Sequence, residues 1–248
     1  MKGVQKSEEW LRQRDRMITA SDAAAAVGEN PYSSQADFIE RKCSNSCGSF
    51  TGNAATIWGE QWEDVALQKY CDMFKKNVYA LNLVQHPTIS WLGGSPDGVT
   101  EDGILIEIKC PPNRKIKPGV SGVPTYYMHQ VQLLMEVCNL SLCHFVQYKP
   151  YMGEFAPETF EVAVVPKDTS WSSTYIPKLE ATWITIAERR KLINEGLIEA
   201  EEQTATDIAK QPPPATIHVL SNEEQRQLKR TKTMHAEADT SVCLISEV

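Results

Sequence analysis

Two acids and a lysine stand where this sequence could do chemistry. Ser95-Pro96-Asp97-Gly98 has the composition of a tight turn, and the apolar run Ile104-Leu105-Ile106-Glu107-Ile108-Lys109 that follows holds two charges. A strand alternates its side chains between two faces, so Glu107 and Lys109 share one face and Ile106 and Ile108 the other. Charges inside an apolar strand are costly to bury unless something compensates them. One compensation is a divalent cation held by Glu107 and by Asp97 as the chain returns from the turn. The other is an edge-strand salt bridge between Glu107 and Lys109, with Asp97 only shaping the turn. The first arrangement is hydrolytic. Hard oxygen ligands suit Mg²⁺, which keeps several waters. A bound cation lowers the pKa of one of those waters and stabilises the negative charge that grows on the group attacked. Lys109 would then orient that water or help take its proton.

The spacing Asp-x9-Glu-x-Lys, with Pro96 before Asp97, resembles that of the PD-(D/E)xK nucleases, which implies phosphodiester hydrolysis. Two helical segments add candidates. In Trp58-Gly59-Glu60-Gln61-Trp62-Glu63-Asp64, Glu60 and Glu63 are neighbours on one helix face. Glu63 is the choice for a third metal carboxylate, and a solvated acidic face is the alternative. In Tyr126-Tyr127-Met128-His129-Gln130, Gln130 would hold the attacking water or a phosphate oxygen; otherwise it is an exposed helix glutamine. Between Ile108 and Met135 there is no acidic residue, while Lys109, Arg114, Lys115 and Lys117 are present. Taken alone, that run reads as a solvated loop.

Five segments together are more specific than any one. Trp10-x3-Arg14-x3-Ile18-Thr19-Ala20-Ser21, Trp58-Gly59-x3-Glu63, Ser95-Pro96-Asp97-Gly98, Glu107-Ile108-Lys109-Cys110-Pro111 and Tyr127-x2-Gln130-Val131-Gln132 occur in order. The set resembles the bacteriophage lambda exonuclease family, also called the YqaJ-type viral recombinase nucleases, over roughly residues 8–150. The resemblance implies that Asp97, Glu107 and Glu63 hold metal, Mg²⁺ or Mn²⁺, as two ions per site. It implies catalytic roles for Lys109 and Gln130, with Tyr127 beside them. Arg14 and Ser21 match the pair that holds a 5′-terminal phosphate, a role that suits a bidentate guanidinium and a hydroxyl near a helix start. The implied activity is 5′→3′ exonuclease action on double-stranded DNA ends, leaving 3′ single strands for an annealing protein in recombination or replication. The implied assembly is a trimeric ring around DNA, whose path Arg114, Lys115 and Lys117 would line.

These residues need a frame. The fold expected is α/β (α+β), a restriction-endonuclease-like core with a central mixed sheet flanked by helices and the active strand near its centre. Helices are expected over 7–16, from Ile18–Asp22 to Gly28, and over 34–42, 54–76 and 125–138, with one long helix or a helix pair over 174–210. Strands are expected over 78–84, 89–92, 104–109, 142–148 and 160–165, with Gly93-Gly94 read as part of a turn. Ser21 or Thr19 would cap the alanine-rich helix. Residues 1–210 would form the nuclease domain and 211–248 a disordered tail, whose Lys229-Arg230-x-Lys232 reads as exposed.

Composition sets outer bounds. The chain has 248 residues, 42% apolar and 23% charged, with a net charge of −7. That excludes a fibrous or wholly disordered chain, and the acidity argues against a protein that coats nucleic acid with its whole surface. No run is long enough for a transmembrane helix and the start does not read as a secretory signal. An intracellular place is expected, with cytoplasm, nucleus and viral replication site all open. Seven irregularly spaced cysteines suggest reduced thiols rather than zinc or iron–sulfur ligands. An endonuclease, a Cas4-like end-trimming nuclease and an inactive DNA-end-binding module are the competing readings; the cysteines lack the late cluster of the second.

Overall fold

The computed structural model describes residues 7–44 and 54–199. These lie in one unit of the chain, Met1–Pro214, and the other unit, Ala215–Val248, falls outside the described residues with the expected tail. Cys47, Cys243, Lys229-Arg230-x-Lys232 and residues 200–210 lie outside them too.

Helix α1 (Glu8–Asp15) starts where Ser7 accepts the Trp10 backbone N–H, and it carries acids in its first turn and Arg12 and Arg14 in its last. Both placements complement the helix dipole. A two-residue strand, β1 (Ile18–Thr19), and a single 3₁₀ turn (Ala20–Asp22) lead into α2 (Ala23–Ala26). Neither Ser21 nor Thr19 caps α2, whose cap residue is Asp22; Thr19 stands at the cap of the preceding turn, where its N–H and hydroxyl both reach the Asp22 carboxylate. Gly28 ends the run with a φ of +77°, a conformation that costs glycine nothing. Helices α3 (Gln35–Cys43) and α4 (Ala54–Phe74) follow.

The expected strand over 78–84 is two strands in different sheets. β2 (Val78–Tyr79) joins one sheet, while β3 (Val84–Gln85) joins β4 (Leu92–Gly94) and β1 in another, in the order β1-β4-β3. The expected strand over 89–92 lies later, because Gly93 and Gly94 are strand and not turn. A side chain at Gly93 would lie 2.5 Å from Met17 Sδ and 2.8 Å from the Val84 carbonyl oxygen. Glycine is there so that two backbones can approach, which composition alone does not distinguish from a turn.

The larger sheet has the order β2-β5-β6-β7-β8, with β5 (Gly98–Thr100), β6 (Leu105–Lys109), β7 (Leu142–Lys149) and β8 (Thr159–Pro166). The strand that carries Glu107 and Lys109 is the middle one, antiparallel to β5 and parallel to β7. The parallel step is made through α5 (Thr125–Val137). The result is the mixed sheet flanked by helices that was expected. Helix α5 covers the face bearing Glu107 and Phe145, where Tyr127 and Phe145 lie 5.7 Å apart. Helix α4 covers the other face, where Trp62 meets Tyr148 and Tyr70 hydrogen-bonds His144. The last described helix, α6 (Thr169–Asn194), differs from the expected 174–210 at both ends. It begins at an Asp168 cap upstream of Pro177, and it stops before Gly196, whose φ is +68°.

Candidate active site

The register of β5 against β6 pairs Gly98 with Ile106, which sets Asp97 opposite Glu107 at the end of the pairing. Asp97 Oδ2 accepts the Ile108 backbone N–H at 2.6 Å, fixing the turn to the active strand. Glu107 is 1% exposed. Its Oε1 accepts from Lys109 Nζ at 2.5 Å and from Gln130 Nε2 of α5 at 2.5 Å. Its Oε2 is buried and has no hydrogen-bond partner. Tyr127, one turn before Gln130, lies under two cations: Lys109 Nζ at 5.1 Å from the ring centre and the Arg114 guanidinium at 6.0 Å. Lys115 and Lys117 stay exposed on the loop that brings Arg114 in.

Electrostatics show what this arrangement lacks. Burial pushes the Glu107 carboxyl up; Lys109 works against that shift, and the charge of Glu63 adds to it. Burial alone would lower Lys109, but Glu107 and Asp97 overcome it and hold the lysine above its ordinary value. Three carboxylates thus act on the surroundings of one ammonium, and one buried carboxylate oxygen is left without a proton donor. A divalent cation fits such an imbalance. Among the described residues, however, no three His, Cys, Asp or Glu side chains are gathered as a ready ligand cluster. Glu63 projects from α4, the helix on the other face, and its charge reaches Glu107 and Cys110 from there.

A second cluster lies at the start of the chain. Arg14 Nη2 donates to Ser21 Oγ at 2.8 Å, so the two residues expected to act together do meet. The Arg14 guanidinium lies 4.5 Å over the Trp10 ring. Trp10 Nε1 in turn donates to Ser95 Oγ at 3.2 Å, two residues from Asp97. Beneath Arg14, Lys42 is buried and donates to the carbonyl oxygens of Arg14 and Met17, both at 2.9 Å. Burial alone would raise the Asp22 carboxyl, but Lys42, Arg14 and Arg41 hold it far below the usual carboxylate range. Burial lowers Arg14, with Asp22 opposing.

The YqaJ-like viral recombinase domain matches residues 9–141, more than half of the chain. This protein belongs to that family. The structure also superposes on an alkaline exonuclease, LHK-Exo from Laribacter hongkongensis, with a TM-score of 0.63 at 27% identity, over 77% of this chain and 98% of that one. LHK-Exo in complex with dAMP gives a TM-score of 0.66 at 26% identity. An uncharacterized protein of Acanthamoeba polyphaga mimivirus is 30% identical over 160 residues, covering 58% of this chain and 29% of that protein. A protein of African swine fever virus is 30% identical over 162 residues, covering 52% of this chain and 44% of that protein. The chain therefore spans less than half the length of these viral relatives.

Four residues in or beside these clusters received no role from the sequence. Trp10 and Ser95 stand in the segments quoted from the sequence without a role of their own, yet their hydrogen bond joins the two clusters. Lys42 is hidden in an ordinary amphipathic helix, and nothing in its neighbours signals burial. Gln147 sits in an apolar strand. Its whole side chain is buried, and neither its nitrogen nor its oxygen has a hydrogen-bond partner.

Proposed function

We propose that this YqaJ-like protein is a divalent-cation-dependent nuclease that enters at double-stranded DNA ends and degrades the 5′-terminated strand. The observation that carries this reading is the chain of contacts Arg14–Trp10–Ser95, which ends beside Asp97. It ties the Arg14–Ser21 pair to the turn that carries Asp97. An endonuclease has no use for an end anchor so coupled. The activity is assigned to residues 1–210, and the product is a 3′ single strand suited to an annealing protein.

Asp97 and Glu107 would hold the cation, Mg²⁺ or Mn²⁺, through hard oxygen donors, with Glu63 completing the set and two ions per site. A cation held there would supply a water of lowered pKa and offset charge growing on the phosphate. Lys109 and Gln130 orient that water along the line of attack. Arg14 and Ser21 hold the 5′-terminal phosphate, so that cleavage starts one fixed distance from the end. Arg114, Lys115 and Lys117 contact the backbone, and Tyr127 supports Lys109 and Arg114. Three copies closing as a ring would keep the enzyme on its track.

The test uses linear duplex DNA labelled at either end, carrying a 5′ phosphate or a 5′ hydroxyl, with Mg²⁺. Loss of the 5′-terminated strand, faster with the phosphate and abolished in Lys109→Ala, is expected. In Arg14→Ala the preference for phosphate should vanish at a cost of about tenfold or more in KM, the scale of a hydrogen bond to a charged group. Intact DNA with every cation would leave a DNA-end-binding module, and nicking of closed circles would leave an endonuclease.

A further inference from the structure

The Gln147 amide has no task in the fold. It is 0% exposed, and neither its oxygen nor its nitrogen finds a partner. Buried polar groups are nearly always paired, so a fully orphaned amide calls for a reason. Its place in the sheet supplies one. β6 and β7 run parallel, with Glu107 beside Phe145 and Lys109 beside Gln147. Paired residues on neighbouring strands point to the same face, so Gln147 extends from the face of Glu107 and Lys109. On its far side Gln147 pairs with Glu161 of β8, whose Oε1 is already taken by the Gly119 N–H.

Lys109 now rests on Glu107 Oε1. A cation seated on the open Glu107 Oε2 would lie within a carboxylate's width of that ammonium, and the two charges would repel. Lys109 then needs another acceptor. Asp97, the other carboxylate acting on it, belongs to the same cation-binding set. The neutral acceptor next in register is Gln147 Oε1.

We propose that Gln147 is a positioning residue, whose Oε1 receives the Lys109 ammonium when a divalent cation takes Glu107. This rests on the cation-dependent reading of the site given above. Gln147 thereby makes cation binding easier, because it offsets the hydrogen bond that Lys109 gives up. It also fixes where Lys109 stands when water attacks.

The test compares wild type with Gln147→Met, which keeps the shape and removes both polar ends, and Gln147→Glu, which keeps an acceptor. Mg²⁺ alone is titrated into the full chain by calorimetry with no DNA present. Thermal unfolding is followed without cation, and kcat and KM on duplex ends are measured. Gln147→Met should bind Mg²⁺ about tenfold more weakly or worse, the usual cost of losing a group that positions a metal site. Its kcat should fall by a similar factor with KM for DNA little changed. Its cation-free melting temperature should not fall, since an idle buried amide has been replaced by apolar atoms. Gln147→Glu should retain Mg²⁺ affinity. A Gln147→Met protein with wild-type Mg²⁺ affinity and kcat overturns the proposal, as does one whose only defect is a lower melting temperature. A wild type that neither binds Mg²⁺ nor cuts DNA overturns the nuclease reading itself, and this inference with it.

Discussion

The cutting row on the sheet and the anchor at the start of the chain are opposites. On the sheet, Asp97 and Glu107 act on one ammonium, Glu63 of α4 acts on Glu107, and Glu107 Oε2 and the Gln147 amide have no hydrogen-bond partners. In the anchor, Arg14, Arg41 and Lys42 act on one carboxylate, Asp22, and each of these cations has a hydrogen-bond or ion-pair partner. One region has surplus negative charge and idle polar atoms; the other has surplus positive charge and a closed network. A cation suits the first and a phosphate the second. Under the proposed function, the anchor's groups would already be paired before DNA arrives, whereas the cutting row would be completed by what binds to it.

The sharpest way to break this contrast is to remove the surplus on the sheet. Glu107→Gln keeps the shape and takes away one charge. Cleavage should fall by at least about a hundredfold, since even a group that only supports a metal ligand usually costs about 10–100-fold when lost. A rise in melting temperature with Mg²⁺ is expected for the wild type and should be absent from this variant, because stabilisation by a ligand requires the ligand's site. A Glu107→Gln protein that Mg²⁺ still stabilises fully would move the cation away from β6. The variant should leave the anchor untouched, so its affinity for 5′-phosphorylated ends should match the wild type's.

The anchor should answer to acid and not to cations. Removing the carboxylate in Asp22→Asn leaves Lys42 buried beside Arg14 and Arg41, a change that costs about 3 kcal/mol when a buried pair is broken. Urea unfolding at neutral pH measures it. The folded pKa of Asp22 lies below its unfolded one, so its contribution is complete above the ordinary carboxylate range and is lost as pH falls towards the folded value. The gap between wild type and Asp22→Asn should therefore narrow in acid. A gap that widens there would mean that Asp22 is not the ionised partner of Lys42.

The two regions were unequally legible in the sequence. Asp97, Glu107 and Lys109 lie close along the chain, and strand alternation alone puts two of them on one face. The central place of β6 was expected only with the restriction-endonuclease-like core, since the run itself left an edge strand open. The link between the clusters could not be read, because Trp10 and Ser95 lie far apart and each has a plain local explanation. Lys42 and Gln147 were hidden for another reason. Burial of a polar side chain depends on what packs over it, and no pattern within a single helix or strand reports that. Gly93 shows the same limit in the backbone, where a close approach and a turn call for the same residue.

The smallest expected effect separates local anchoring from general attraction. Lys115 and Lys117 are exposed on the loop after β6, without the support that Trp10 and Lys42 give Arg14. If they meet the DNA backbone, replacing both with alanine should weaken binding to every duplex alike, with or without a 5′ phosphate. Each lost phosphate contact should reduce the slope of log affinity against log salt by about 0.9. Arg14→Ala, by contrast, should discriminate between phosphate and hydroxyl ends. Titrations of both variants at several salt concentrations separate the two behaviours. A double-lysine variant that loses preference for the 5′ phosphate would place the anchor on the loop and dissolve the distinction between the two regions.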